Sequence, residues 1–230
     1  MPGLAMRKNV NDSPWWYLAG LLLVSAHEPC SAADERVTLK LAIHVHSTIS
    51  TGTLDPSQIL PLATQAGLDA VLFTDSALRR WEYGLWPARA WIKRVIEQPS
   101  VRTFGAARYL DTLQHLSTPQ LLVLPGLEAA PFYYWRRSPF DRRGGQIRGW
   151  SQHLLVFGLD DPRAIQRLPL DAFDPYQGDR GAVPYQRFID AVTAQGGLVF
   201  WAHPETGHVG EHGPVEDSTD PYPHLLELTD

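Results

Sequence analysis

Apolar and polar side chains alternate without a break over residues 37–46. Val37, Leu39, Leu41, Ile43 and Val45 fall on one side, and Thr38, Lys40, Ala42, His44 and His46 on the other. A two-residue period predicts a strand. Short continuous apolar runs at 70–73, 121–124, 154–157 and 198–201 predict four more, and 225–228 begins a sixth. The third run is expected to close at Pro125-Gly126. Helical patterns lie between these runs. The clearest covers 55–66, with Asp55 as N-cap, Pro56 in the first turn and Gly67 as the stop. Pro61 inside it is expected to kink the helix or delay its start. Residues 86–98, 106–116 and 185–195 also read as helices, the last ending at Gly196-Gly197. Short apolar strands separated by helices imply parallel pairing in a sheet covered by helices, either an open doubly wound sheet or a βα barrel.

The first 33 residues stand outside this pattern. Arg7 and Lys8 precede the apolar run at 15–24, and Cys30-Ser31-Ala32-Ala33 supplies small residues after it. The run is short for a bilayer and fits the core of a signal peptide. Cleavage is expected after Ala32 or Ala33, with a periplasmic or secreted domain over 34–230. With 230 residues and 25.8 kDa, the chain has room for one large domain. A net charge of -5 argues against a nucleic-acid partner. No apolar run approaches the ~18 residues of a membrane span, so stable membrane insertion is not expected. The single cysteine excludes an internal disulfide framework and a cysteine-based zinc site.

The candidate chemistry lies at the strand ends. His44, His46, Asp75, Glu128 and His203 sit at or just past the C-terminal ends of expected strands, the rim that carries the active site in βα barrels. His153 opens the fourth strand and so falls at the opposite end if all strands are parallel. His44 and His46, two apart on a strand, place their Cα atoms roughly 6.5 to 7 Å apart, so both imidazoles can reach one ion. Each residue taken singly reads as an ordinary rim side chain. Together they favour a polynuclear metal centre of imidazoles bridged by a carboxylate. Residues 131–150 are rich in aromatics and arginine, including Arg136, Arg137 and Arg142. They read either as a lid that binds an anionic or ring-bearing substrate or as a surface insertion. The segment 81–84 reads as a pocket wall or as core packing.

The order His44-Val45-His46-Ser47, Thr74-Asp75, Pro125-Gly126-Leu127-Glu128, His153-Leu154-Leu155-Val156 and Ala202-His203-Pro204 resembles the PHP (polymerase and histidinol phosphatase) family. The resemblance spans about 39–230. It implies a distorted βα barrel, about seven strands when complete, with divalent zinc, manganese or iron at the rim. It implies metal ligands at His44, His46, Glu128, His153 and His203, with Glu128 bridging. Asp75 matches the Asp of the family's Thr-Asp-His motif, which with Glu128 makes a catalytic pair. Three departures stand out. Ser76 replaces the His of that motif, Ser50-Thr51-Gly52 replaces Ser-Asp-Gly, and the late Asp-x-His motif has no match before Asp230. Both replacements fall on a third metal position, so two ions are expected, and the domain reads as cut short at its C-terminus.

The expected activity is hydrolysis of a small anionic, phosphorylated substrate by a metal-activated water. Arg136, Arg137 and Arg142 are expected to meet the anion. The competing expectation is a degenerate, non-catalytic PHP domain that binds a ligand or partner, favoured by Thr51, Ser76 and the missing motif.

Overall fold

A computed structural model describes residues 37–138, 140, 146–150, 152–170, 182–202, 209–212 and 215–218. For 136, 137, 146, 148, 182 and everything beyond 202, the description is of the main chain alone. In chain order the elements are β1 (Leu41–Val45), α1 (Pro56–Gln65), β2 (Ala70–Phe73), β3 (Arg80–Gly84), β4 (Lys93–Glu97), α2 (Val101–Phe104), α3 (Ala106–Gln114), β5 (Leu122–Ala129), β6 (Tyr134–Arg137), β7 (Gln146–Arg148), β8 (Leu154–Phe157), α4 (Pro162–Arg167), α5 (Ala182–Thr193), β9 (Leu198–Trp201), β10 (Val209–His212) and β11 (Val215–Ser218). The expected leader at 1–33, the sixth strand at 225–228 and His203 lie outside the described residues. No helix among the described residues is long and apolar enough to cross a membrane.

The fold is mixed α/β. Its main sheet has five strands in the order β1-β2-β5-β8-β9. β1, β2 and the first half of β5 pair in parallel, as expected. The second half of β5 pairs with β8 antiparallel, and β8 pairs with β9 antiparallel, which corrects the all-parallel expectation. The reason lies between β5 and β8. A parallel return needs a long crossover, usually a helix. Here the described part of the connection is the β6–β7 pair, and the chain comes back in the opposite direction. Among the described residues, β1 and β9 are edges that do not pair with each other.

α1 forms for the reasons its sequence suggests. The Asp55 carboxylate accepts from the Ser57 amide at 2.9 Å, and Gln58 reaches back to the Asp55 amide at 2.9 Å, a reciprocal cap. The helix starts at Pro56 and runs through Pro61, so the start is not delayed. Two expectations fail. Residues 86–98 do not form a helix, because 93–97 pair antiparallel with 80–84 as a two-stranded ribbon. β5 does not close at Pro125-Gly126 and continues to Ala129. Pro125 sits at the last register position of the β2 ladder, where the strand changes partners and a missing amide does little harm.

The main sheet has two unlike faces. Val71, Phe73, Val123, Leu127, Leu154 and Val156 lie on the helix-covered face, buried in one core with Tyr109, Leu113, Tyr185 and Phe188 from the helices. The other face carries Ile43, Leu72 and Leu124 in register across β1, β2 and β5, and the contacting rings of Phe157 and Phe200 on β8 and β9. It is open: Ile43 is 52% exposed and Phe200 51%. A second buried cluster joins β3 to the β6–β7 pair through Trp81, Tyr133, Trp135, Ile147 and Trp150. Trp81 is therefore core, and the described aromatics of 131–150 are mostly packing rather than a free stacking platform.

Candidate metal centre

β1 carries a bulge that decides where its histidines point. Ile43 pairs with Leu72 and Val45 pairs with Phe73, so His44 is the extra residue. It adopts the left-handed conformation, φ 68°. Plain alternation would put His44 on the helix-covered face, with Ala42 and Val71. The bulge instead turns Val45 inward against the core. It also brings His44 and His46 to the open face, where Glu128 stands two residues beyond Gly126 in β5. The alternation read from the sequence thus holds through Ile43 and breaks at His44. The two imidazoles still meet, with centroids 5.1 Å apart.

Three histidines surround the Glu128 carboxylate. His44 Nε2 lies 2.8 Å from Oε1, His153 Nδ1 2.9 Å from the same oxygen, and His46 Nε2 3.5 Å from Oε2. His153 reaches this rim because β8 runs antiparallel. The residue before its first position lies at the same end as the last residues of β5, and 153, 155 and 157 alternate onto the open face. Burial alone pushes the Glu128 carboxyl up. The neighbouring His153, then His44 and His46, outweigh it and hold the group far below the usual carboxylate range. Burial pulls the His46 imidazole down, Glu128 and Asp75 oppose this, and the net shift is downward, so its neutral form is favoured.

Asp75 lies beneath this group, fully buried. One oxygen accepts the Ser47 amide at 2.8 Å and the Ser50 hydroxyl at 2.7 Å, and the other accepts the Ser47 hydroxyl at 2.8 Å. Its carbonyl accepts the Glu128 amide at 3.2 Å. The network also fixes a tautomer. Ser50 has one hydroxyl proton and gives it to Asp75. Its oxygen, 3.3 Å from His46 Nδ1, can then only accept, so neutral His46 carries its proton on Nδ1. Nε2 is left with a lone pair facing the carboxylate oxygen Oε2 at 3.5 Å. Two acceptors facing each other across a buried gap suit a cation between them.

His44, His46 and Glu128 offer ligand atoms that all lie within 4.8 Å of one another. The donor set fits a divalent metal, and His153 stands beside it. Ser76 is a hydroxyl donor to Glu128 Oε2 at 3.5 Å, and Thr51 is exposed. The side chains of Arg136, Arg137, Arg142 and His203 lie outside the described residues. Sequence reading missed Ser47 and Ser50 as supports, although their spacing of three just past a strand is that of a turn. It also missed Arg79, a half-buried cation close enough for the Glu128 charge to act on it.

No protein-family model and no curated protein matches the chain. Among solved structures, a protein of Bifidobacterium adolescentis provisionally named a metal-dependent phosphoesterase shares 16% identity, over 74% of this chain and 68% of its own, with a TM-score of 0.34. At that score the likeness carries no weight for the fold or for the activity.

Proposed function

We propose that this chain is a metal-dependent hydrolase of the PHP type acting on a small phosphoester, with a βα barrel as its complete architecture. One observation carries the reading: three imidazoles converge on one buried carboxylate, and one of them presents a lone pair to it. In this reading His44, His46, Glu128 and His153, with His203, hold two ions of the zinc, manganese or iron class. Divalent metal held there supplies Lewis acidity and a water activated near neutral pH. The chain does the rest. Glu128 keeps its charge through its histidine neighbours and so stays competent to bridge cations. Asp75, through Ser50, holds His46 in its ligating tautomer, and its carbonyl fixes the Glu128 main chain. Arg136, Arg137 and Arg142 are proposed to meet the substrate anion.

Glu128→Gln tests this directly. It keeps shape and removes the charge that holds two cations together. Purified wild-type protein is expected to contain zinc, manganese or iron by elemental analysis and to hydrolyse an aryl phosphate. The variant is expected to lose both. Retention of metal content and turnover in Glu128→Gln would overturn the reading. Ser76 and Thr51 support one competing reading, a domain that binds without turnover, since neither is a good ligand for a third ion. Metal-loaded wild-type protein without phosphatase activity on any of a panel of phosphoesters would favour it.

A further inference from the structure

Arg79 lies three residues past Ser76, whose main chain bridges to Glu128. The stretch that carries it is pinned on several sides. The Ala77 amide donates to the Glu128 carbonyl at 2.7 Å, the Val101 amide to the Ser76 carbonyl at 2.9 Å, the Arg102 amide to the Ala77 carbonyl at 3.1 Å, and the Gln98 amide to the Arg79 carbonyl at 2.9 Å. Its guanidinium lies over the Trp81 ring, 5.9 Å from the centroid. Trp81 in turn packs edge-on against Trp150 at 4.8 Å, and Trp150 against the His153 ring at 6.1 Å. A continuous aromatic contact therefore joins Arg79 to the histidine cage.

Three other described arginines of the 79–108 stretch are already committed. Arg80 pairs with Glu82 at 2.8 Å, Arg102 donates to the Gln166 and Leu168 carbonyls, and Arg108 covers the Phe104 ring. Among the described residues the Arg79 guanidinium has no carboxylate partner and no hydrogen-bond acceptor. The buried Trp81 Nε1 beside it also lacks an acceptor among them. A half-buried guanidinium within reach of the Glu128 charge, held over a ring that leads to His153 and with no hydrogen-bond acceptor among the described residues, is suited to a planar or tetrahedral oxyanion. Glu128 does not fill that role. Its oxygens are taken up by three histidines, and in the metal-loaded state its charge is shared with cations.

We infer that Arg79 is an oxyanion-binding residue of this site, taking the phosphoryl oxygens of a phosphoester or free phosphate beside the histidine cage. The inference rests on the metal-hydrolase reading and adds a residue that the sequence pattern did not single out. The test uses the full chain, metal-loaded, with inorganic phosphate as probe in titration calorimetry and as competitive inhibitor of aryl phosphate hydrolysis. Arg79→Gln is expected to keep wild-type metal content and thermal stability and to weaken phosphate binding by about tenfold or more, the range for losing a charge-assisted contact. Arg79→Lys is expected to recover part of the loss, with KM moving more than kcat. Phosphate affinity within about twofold of wild type in both variants, at full metal content, overturns the inference and leaves the metal reading standing. Loss of metal together with phosphate in Arg79→Gln also overturns it, because Arg79 would then support Glu128 rather than the anion. Should wild-type protein take up no metal, the hydrolase reading fails, and the same phosphate titrations on the metal-free chain still decide. A difference between wild type and Arg79→Gln supports an anion site, and no difference overturns it.

Discussion

His44 is a histidine in a conformation that histidines rarely adopt. A left-handed backbone at a non-glycine residue costs on the order of 1 kcal/mol, and such residues cluster where geometry serves a site. His44→Gly removes that strain. It also removes the contact between the partly exposed His44 ring and the buried Glu128 carboxylate, which keeps His46 and His153 as neighbours. The two effects oppose each other, so metal-free His44→Gly is expected to unfold within about 1 kcal/mol of wild type while metal affinity collapses. Urea unfolding in the presence of a chelator checks the first part and metal titration the second. A loss beyond about 2 kcal/mol would mean that the lost Glu128 contact outweighs the strain released at His44. Ser50 gives a second test. Ser50→Ala removes the acceptor for His46 Nδ1 and the donor to Asp75, so the tautomer is no longer fixed. Metal affinity is expected to fall by about 10- to 100-fold, the usual scale for an orienting partner. In nitrogen NMR the His46 ring is expected to change from the Nδ1–H form to a mixture; unchanged ring shifts would refute the assignment.

At the scale of elements, Gly126 shows how tightly β5 and β8 meet. A Cβ on Gly126 would lie 2.5 and 2.6 Å from ring atoms of Phe157 and 2.8 Å from the Val156 carbonyl oxygen. The ring can yield and the carbonyl cannot do so without moving the ladder. Gly126→Ala is expected to destabilise the protein by about 1 to 3 kcal/mol and to loosen Glu128, two residues on. Thermal unfolding measures the first effect and metal content the second. Much of this framework was legible in the chain. Asp55-Pro56 announced α1, and the short apolar runs announced β2, β8 and β9, because local capping and burial decide those elements. The 86–98 segment was not legible. Its strand exists only through pairing with 80–84 and the docking of Trp81 and Ile96 on a distant aromatic cluster. The bulge at His44 was equally hidden, since an apolar-polar alternation reads the same with or without an extra residue. The direction of β8 depends on what its connection does, and that direction brings His153 to the right rim.

Across the whole molecule, the site gathers residues far apart in sequence. His44 belongs to β1, Glu128 to β5, and His153 precedes β8, with Ser76 following β2 between them. The cage therefore spans four adjacent strands of the main sheet. An ion seated there would act as a reversible cross-link between parts of the chain as far apart as His44 and His153, 109 positions along the sequence, and an unfolded chain cannot offer such a seat. Ligand bound only by the folded form adds about 2.7 kcal/mol of stability at 100 times its dissociation constant. For a domain of this size that corresponds to a rise of about 5 to 10 °C in Tm. Calorimetry with and without chelator is the check, and a Tm that ignores the metal would mean that the cage is not closed by an ion. The protection should also be local. Amide exchange is expected to slow at the strand ends of β1, β5 and β8, while β3 and β4, outside the cross-link, keep their rates. In this protein metal occupancy would then set how long the chain survives unfolding as well as whether it can react.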